Sequence, residues 1–266
     1  MDLGLDGRRA LVTGGSRGIG RAIARKLAAE GARVAICART RDPLEEAAAA
    51  IREETGAEVL PIVADVRERA SIESFVGTGA ERFGGLEIVV SSAARVSGGE
   101  VPEDLERVTE ETILGDFEEK FLGALRLVRT ALPHLRRSGW GRIVTVSGLT
   151  ARVAGSVSAG ARNAALVHLT RTMSVALGRD GITANAVYPA VTVTESLERR
   201  LAARAEREGA TLEQFLADLA KHSAIGRLVT ADEIADVVAF LASVRSAAIT
   251  GEAIAVSGGT GSSVSY

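Results

Sequence analysis

A single cysteine, Cys37, stands among 266 residues, so neither an internal disulfide nor a cysteine-built metal centre can form. There are only three histidines, and none shares a metal-ligand spacing with Asp or Glu. Neither sign of charge dominates: 32 Lys plus Arg against 34 Asp plus Glu leave a net charge of −2. The basic excess that nucleic acid or an anionic membrane calls for is missing. Long hydrophobic runs are missing too. The longest uncharged stretches, Gly181–Thr194 and Ala253–Tyr266, fall short of the ~18 residues needed to span a bilayer. Met1–Arg9 is acidic then basic, with no apolar stretch, and does not read as a signal peptide. These absences leave a cytoplasmic protein acting on a small molecule, without nucleic acid, membrane or metal.

With 46% apolar and 25% charged residues, the chain has ordinary globular composition. Short β-branched runs occur at Ala10–Thr13, Arg33–Cys37, Glu58–Val63, Glu87–Val90 and Ile143–Val146, then near Ile182–Tyr188 and Ala253–Ser257. Between them lie Ala/Leu/Arg/Glu stretches with helical stripes, such as Ile19, Ile23 and Leu27, or Ala47, Ala50 and Ile51. This alternation predicts an α/β fold with βαβ units and a parallel sheet covered on both faces. No repeat or linker divides the chain, so 1–266 reads as a single domain. Residues 195–222 read as an inserted helical lid. Within it Leu212, Phe215, Leu216 and Leu219 recur at helical spacing and predict one buried face.

The densest chemical signal follows the first strand. Ala10–Thr13 runs into Gly14, Gly15, Ser16, Arg17, Gly18, Ile19 and Gly20, where a helix begins. A strand, a glycine-rich turn and a helix N-terminus make an anion site, because backbone N–H groups and the helix dipole face the ligand. The second strand ends at Arg39, with Arg41 and Arg17 nearby. An acid there would bond a ribose 2′-hydroxyl, whereas guanidinium favours a 2′-phosphate. The reading is NADP(H) rather than NAD(H).

At this point the chain resembles the short-chain dehydrogenase/reductase family, nearly end to end, and most of all its 3-oxoacyl-carrier-protein reductase-like members. The resemblance rests on Thr13–Gly14–xxx–Gly18–Ile19–Gly20, on Asp65 and Val66, on Gly181–Asn185 with Pro189, and on Ile249–Gly251 with Gly258–Gly259. It implies one Rossmann-like, doubly wound domain with a seven-stranded parallel sheet flanked by helices. It implies that Asp65 bonds the adenine and that Thr194 contacts the carboxamide. It implies a homodimer or homotetramer built on two long helices, near Asp116–Arg137 and Ser158–Gly178. The implied work is hydride transfer between a nicotinamide and a carbonyl or alcohol.

The family's Tyr-x-x-x-Lys pair is missing. Aligned on Ala164–Leu166, Ala159 holds the Tyr position and Asn163 the Lys position. The Ser position falls on Ser147 or Gly148, and the Asn position on Lys120. Asn and Lys thus look exchanged across one pocket. Two readings stand: a retained ammonium–amide pair, or drift in a disused site. In the first, Lys120, Ser147 and Asn163 are the catalytic candidates, with Asn163 also on the ribose. In the bland alternative Lys120 turns outward and pairs with Glu118 or Glu119 on a solvated or helix-pairing face. Ser156, Ser158 and Tyr188 are further candidate hydroxyls. Alanines stand in place of the family's glycines near the nicotinamide, at Ala94 and Ala190, where a positive φ would be strained. The implied functions are an atypical reductase, a non-redox lyase, cyclase or isomerase, or a non-catalytic subunit paired with an active homologue in a hetero-oligomer.

Overall fold

The computed structural model describes residues 1–94, 105 and 108–261. The predicted domain limit at 266 lies outside the described residues. Seven parallel strands form the sheet: β1 (Arg9–Thr13), β2 (Arg33–Ala38), β3 (Val59–Val63), β4 (Ile88–Ser91), β5 (Gly141–Val146), β6 (Ile182–Pro189) and β9 (Ala253–Val256). Their order is β3-β2-β1-β4-β5-β6-β9. The order reverses between β1 and β4, and a crevice at the carboxyl ends of strands at such a reversal is where ligands bind in open α/β sheets. A second, two-stranded sheet pairs β7 (Thr192–Val193) with β8 (Val229–Thr230), a feature the sequence reading missed.

Every residue of β4, β5 and β6 is buried, as parallel strands covered on both faces require. Alternate side chains feed two cores. Ala10, Val12, Val34 and Ile36 pack with Ile23 and Leu27 of α1 (Gly18–Ala29) and with α9 (Ala231–Leu241). Leu11, Ala35 and Val89 pack with Phe75 of α3 (Arg69–Phe83) and Leu127 of α5 (Gly123–Ser138). On α2 (Arg41–Thr55) the buried stripe is Leu44, Ala47, Ala48 and Ile51, while Ala50 faces solvent.

The first long helix is not one continuous α-helix. α4 (Glu110–Asp116) leads into a π-helical turn, Phe117–Leu122, and then α5. Such π turns are rare and concentrate at functional sites. α6 (Val157–Leu177) is the second long helix. The segment read as a lid, 195–222, is two helices rather than one. α7 (Glu195–Glu208) ends at Gly209, whose φ of 65° is left-handed, and α8 (Leu212–Ala220) restarts with a Thr211–Gln214 capping box. Leu212, Phe215, Leu216 and Leu219 share one face of α8 but are only half-buried, so the predicted buried face is only partly covered. No helix among the described residues is long and apolar enough to cross a membrane.

Candidate active site

The glycine-rich turn leaves β1 with its backbone packed bare. A Cβ on Gly15 would stand 2.6 Å from Ile36 Cβ, and one on Gly20 would overlap the Gly14 carbonyl oxygen. Gly14 has a φ of +72°, a region open to glycine at little cost. The N–H groups of Gly14 and Gly15 both donate to the Cys37 carbonyl, at 2.9 and 3.1 Å, which locks the turn to β2. The Thr13 hydroxyl accepts from Ser92 and Ala93 N–H, at 3.1 and 3.2 Å, and locks it to β4. Burial pushes the Cys37 thiol up to about 12, so this lone cysteine is a small apolar group rather than a nucleophile.

α1 carries no side-chain cap, so its first N–H groups must be met from outside the helix. One already is. Glu195, the first residue of α7, accepts from Gly18 N–H at 3.3 Å and pairs with Arg21. A carboxylate held at the mouth of the glycine turn fits an anion site. Ser16 and Ile19 are half-buried beside it and Arg17 is exposed. Thr194 lies against Gly18 and caps α7 by accepting from Leu197 N–H at 3.3 Å. Pro189 is buried at the end of β6.

Of the arginines read as a 2′-phosphate site, Arg39 is exposed at the end of β2, and its charge reaches Asp65. Arg41 is held by Glu45 at 3.0 Å on the same helix. Asp65 is clasped by Arg67, whose guanidinium holds the carboxyl below its usual range. Val66 is buried against Gly123.

Lys120 points inward. It is 6% exposed, and its Nζ donates to the Ser147 carbonyl at 2.8 Å. Burial pulls the amine down to about 7, with Arg162 adding to the push and Asp116 opposing it. This corrects the outward alternative for Lys120, and with it the solvated Glu118–Glu119 face. Glu119 is buried beside Lys120, and Glu118 pairs with Arg126 along the helix at 2.6 Å. The π turn places the two consecutive side chains Glu119 and Lys120 inside.

The Ser147 hydroxyl donates to the Asn163 backbone carbonyl at 3.0 Å, tying β5 to α6. The Asn163 amide donates to Thr150 Oγ1 at 2.7 Å, and its Oδ1 is a buried acceptor with no hydrogen-bond partner. Thr150 in turn donates to the Ala159 carbonyl at 3.4 Å. Lys120, Ser147, Ala159 and Asn163 are thus joined through β5 and α6. Thr150 was missed because it lies on the short turn after β5, outside any motif. Gly148 leaves no room for a side chain: a Cβ there would stand 2.6 Å from the Asn163 amide nitrogen.

The two serine candidates are committed elsewhere. Ser156 caps α6 by accepting from Ala159 N–H at 3.1 Å, and Ser158 donates to Asp116 at 2.6 Å. Tyr188 is 4% exposed, with the Arg152 guanidinium 4.4 Å over its ring. No non-glycine residue among those described has a positive φ, so Ala94 and Ala190 sit without backbone strain. Among the described residues no group of three or more His, Cys, Asp or Glu could hold a metal ion.

Residues 14–261 match the family described as enoyl-(acyl carrier protein) reductase. The chain belongs to the short-chain dehydrogenase/reductase family. It is 34% identical over 251 residues to the short-chain reductase protein NovJ of Streptomyces niveus, covering 94% of this chain and 92% of that one. It is 32% identical over 254 residues to a granaticin polyketide synthase putative ketoacyl reductase of Streptomyces violaceoruber, covering 95% and 92%. Among solved structures, L-sorbose reductase of Gluconobacter frateurii, complexed with NADPH and L-sorbose, superposes with a TM-score of 0.91 at 30% identity, covering 98% of each chain. The seven-stranded parallel sheet flanked by helices agrees with the family fold.

Proposed function

We propose that the chain is an NADP(H)-dependent reductase of its family in which the Lys120 amine replaces the tyrosine as proton source for a carbonyl substrate. The observation that carries this reading is the buried Lys120 Nζ on the Ser147 carbonyl, 2.8 Å away, beside the Asn163 that holds the lysine position. The relatives support the redox half: NovJ is a short-chain reductase, and the sorbose reductase structure contains NADPH.

The residues present fit the nucleotide. The turn has no room for a Cβ at Gly15 or Gly20, the N-cap residue Arg17 makes no side-chain cap on α1, and Asn163 Oδ1 is an unmatched acceptor for a ribose hydroxyl. Gly14, Ser16, Arg17, Gly18, Ile19 and Gly20 would hold the phosphates, Arg39 the 2′-phosphate, Asp65 and Val66 the adenine, and Pro189 and Thr194 the nicotinamide end. When bound, NADPH supplies hydride. The protein supplies the rest: the Lys120 ammonium gives a proton from Nζ to the developing alcohol oxygen, remains as a neutral amine and is reprotonated from solvent. The proposed setting is a cytoplasmic homodimer or homotetramer packed through α4–α5 and α6.

A second reading is a non-catalytic subunit paired with a competent homologue. The engaged Ser147 hydroxyl and Asn163 amide favour it. Loss of NADPH absorbance by the isolated chain, offered β-ketoacyl thioesters and aromatic polyketide-type ketones, decides between them. Turnover without a partner supports the reductase. Turnover only after a homologue is added supports the subunit.

Two binding results are expected. Arg39→Asp removes a charge-assisted phosphate contact of about 1.5–3 kcal/mol, so isothermal titration should find NADPH preferred in the parent and NADH in the variant. Glu195→Gln removes the carboxylate competing at Gly18 N–H. NADPH binding should tighten about two- to fivefold, the size of a charge at an exposed helix N-terminus. Unchanged affinity would mean that the carboxylate and the phosphates do not share the site.

A further inference from the structure

α4, the π turn and α6 close on a small buried set of charges that the nucleotide site does not use. Asp116 ends α4 and is 3% exposed, and Arg162 of α6 is 5% exposed. Arg162 stands 2.9 Å from Asp116 Oδ1, and Ser158, one turn earlier on α6, donates to Oδ2 at 2.6 Å. Both carboxylate oxygens of Asp116 are therefore engaged from α6. Lys120 follows Asp116 along the same helical stretch, within the electrostatic reach of both Asp116 and Arg162. Its amine nevertheless bonds to the neutral Ser147 carbonyl.

Resting on the reading of Lys120 as proton source, we propose that the Asp116–Arg162 pair, pinned by Ser158, is the positioning device for the Lys120 amine. Two physical effects follow from the arrangement. With Arg162 and Ser158 on both its oxygens, Asp116 does not capture Lys120 in a closed ion pair, and the amine stays turned toward β5 and the site. The fixed Arg162 cation also makes a second buried positive charge costlier, so the proton on Nζ is easier to give away. Glu119 on the π turn is buried and felt by Arg67 from the β3–α3 connection. Glu118 is held by Arg126 of α5, and Ser147, just after β5, presents its carbonyl to the amine. A buried ion pair adds little stability over an apolar pair of similar volume, so a role in tuning a neighbouring amine is a physical reason for one here.

The chain has only three lysines, Lys26, Lys120 and Lys221, so carbon-13-labelled lysine gives a nearly empty NMR spectrum. The Lys120 signal is identified by its loss in Lys120→Met. Its titration midpoint is read on the folded, substrate-free protein. Arg162→Met leaves Asp116 to Lys120 and should raise the midpoint by about one unit, a tenfold change in protonation ratio. Asp116→Asn removes the negative charge that favours the protonated amine and should lower it by about as much. Arg162→Lys should hold the parent midpoint to within about half a unit. Opposite shifts support the proposal, since loosened packing alone would move both variants the same way. Shifts in one direction, or none, overturn it. If either pair variant unfolds, Ser158→Ala decides. Removing the Ser158 donor from Asp116 should raise the midpoint, and an unmoved midpoint overturns the proposal. The titration needs no turnover, so opposite shifts with undiminished activity in Lys120→Met would leave the positioning intact and refute the proton-source reading.

Discussion

Replacing Arg162 with methionine is expected to cost about 3–5 kcal/mol of folding stability, because removing one partner of a buried pair strands the other charge. Both side chains are nearly inaccessible, at 6% and 4%, and stand 2.9 Å apart. Arg162→Met combined with Asp116→Leu should recover most of that loss, since exchanging the whole pair for apolar groups of similar volume is near neutral. Urea midpoints of the parent, the single and the double variant check this. A single variant within about 1 kcal/mol of the parent, the usual worth of an exposed ion pair, would mean that the pair is solvated in solution.

The second large effect concerns Lys120→Met. Methionine keeps much of the volume and removes the amine. Turnover should fall by about 10²–10⁴-fold, the usual contribution of a positioned acid. NADPH affinity should hold, because Lys120 bonds to Ser147 and not to the glycine turn. On the proposed reading reduction uses the protonated amine, so the parent's rate should fall as pH rises through about 7. Stability runs the other way. The amine's ordinary value is 10.5 and burial lowers it to about 7 in the fold. Between those values the unfolded chain binds more protons than the folded one. Unfolding free energy therefore gains from Lys120 as pH rises from about 7 to 10.5, and the burial penalty is present in full below 7. Denaturation midpoints of parent and Lys120→Met across that range should differ least at high pH. A constant difference would place Lys120 in water.

The sheet was legible because its strands are short β-branched runs separated by helical stripes, and the glycine turn because strand, turn and helix are contiguous. Segment 195–222 was legible as helical, but its break, left-handed Gly209 followed by the Thr211–Gln214 capping box, was not read as two helices. The π turn was not legible. Phe117–Leu122 has ordinary helical composition, and the extra residue in its turn appears only when Glu119 and Lys120 are both found inside. The reading of the Asn and Lys positions as exchanged rests on register alone. The Asp116–Arg162 pair was not, because its members are far apart in sequence and meet only through the packing of α4 on α6. Arg162 among the small residues before Leu166 was the one available sign. Glu195 read as an ordinary acid in the first turn of a helix, and nothing local showed that its partner is the N-terminus of α1.

Deuterium transfer tests the reductase reading most directly. The isolated chain is given NADPH deuterated at the transferable position together with a panel of β-ketoacyl thioesters, and the products are analysed by mass spectrometry. A reductase built on Lys120 places deuterium on the carbinol carbon, with a rate that declines as pH passes about 7 and that collapses in Lys120→Met. Tight NADPH binding with no deuterium in any product, and transfer only when a homologue with an intact tyrosine is added, would contradict it.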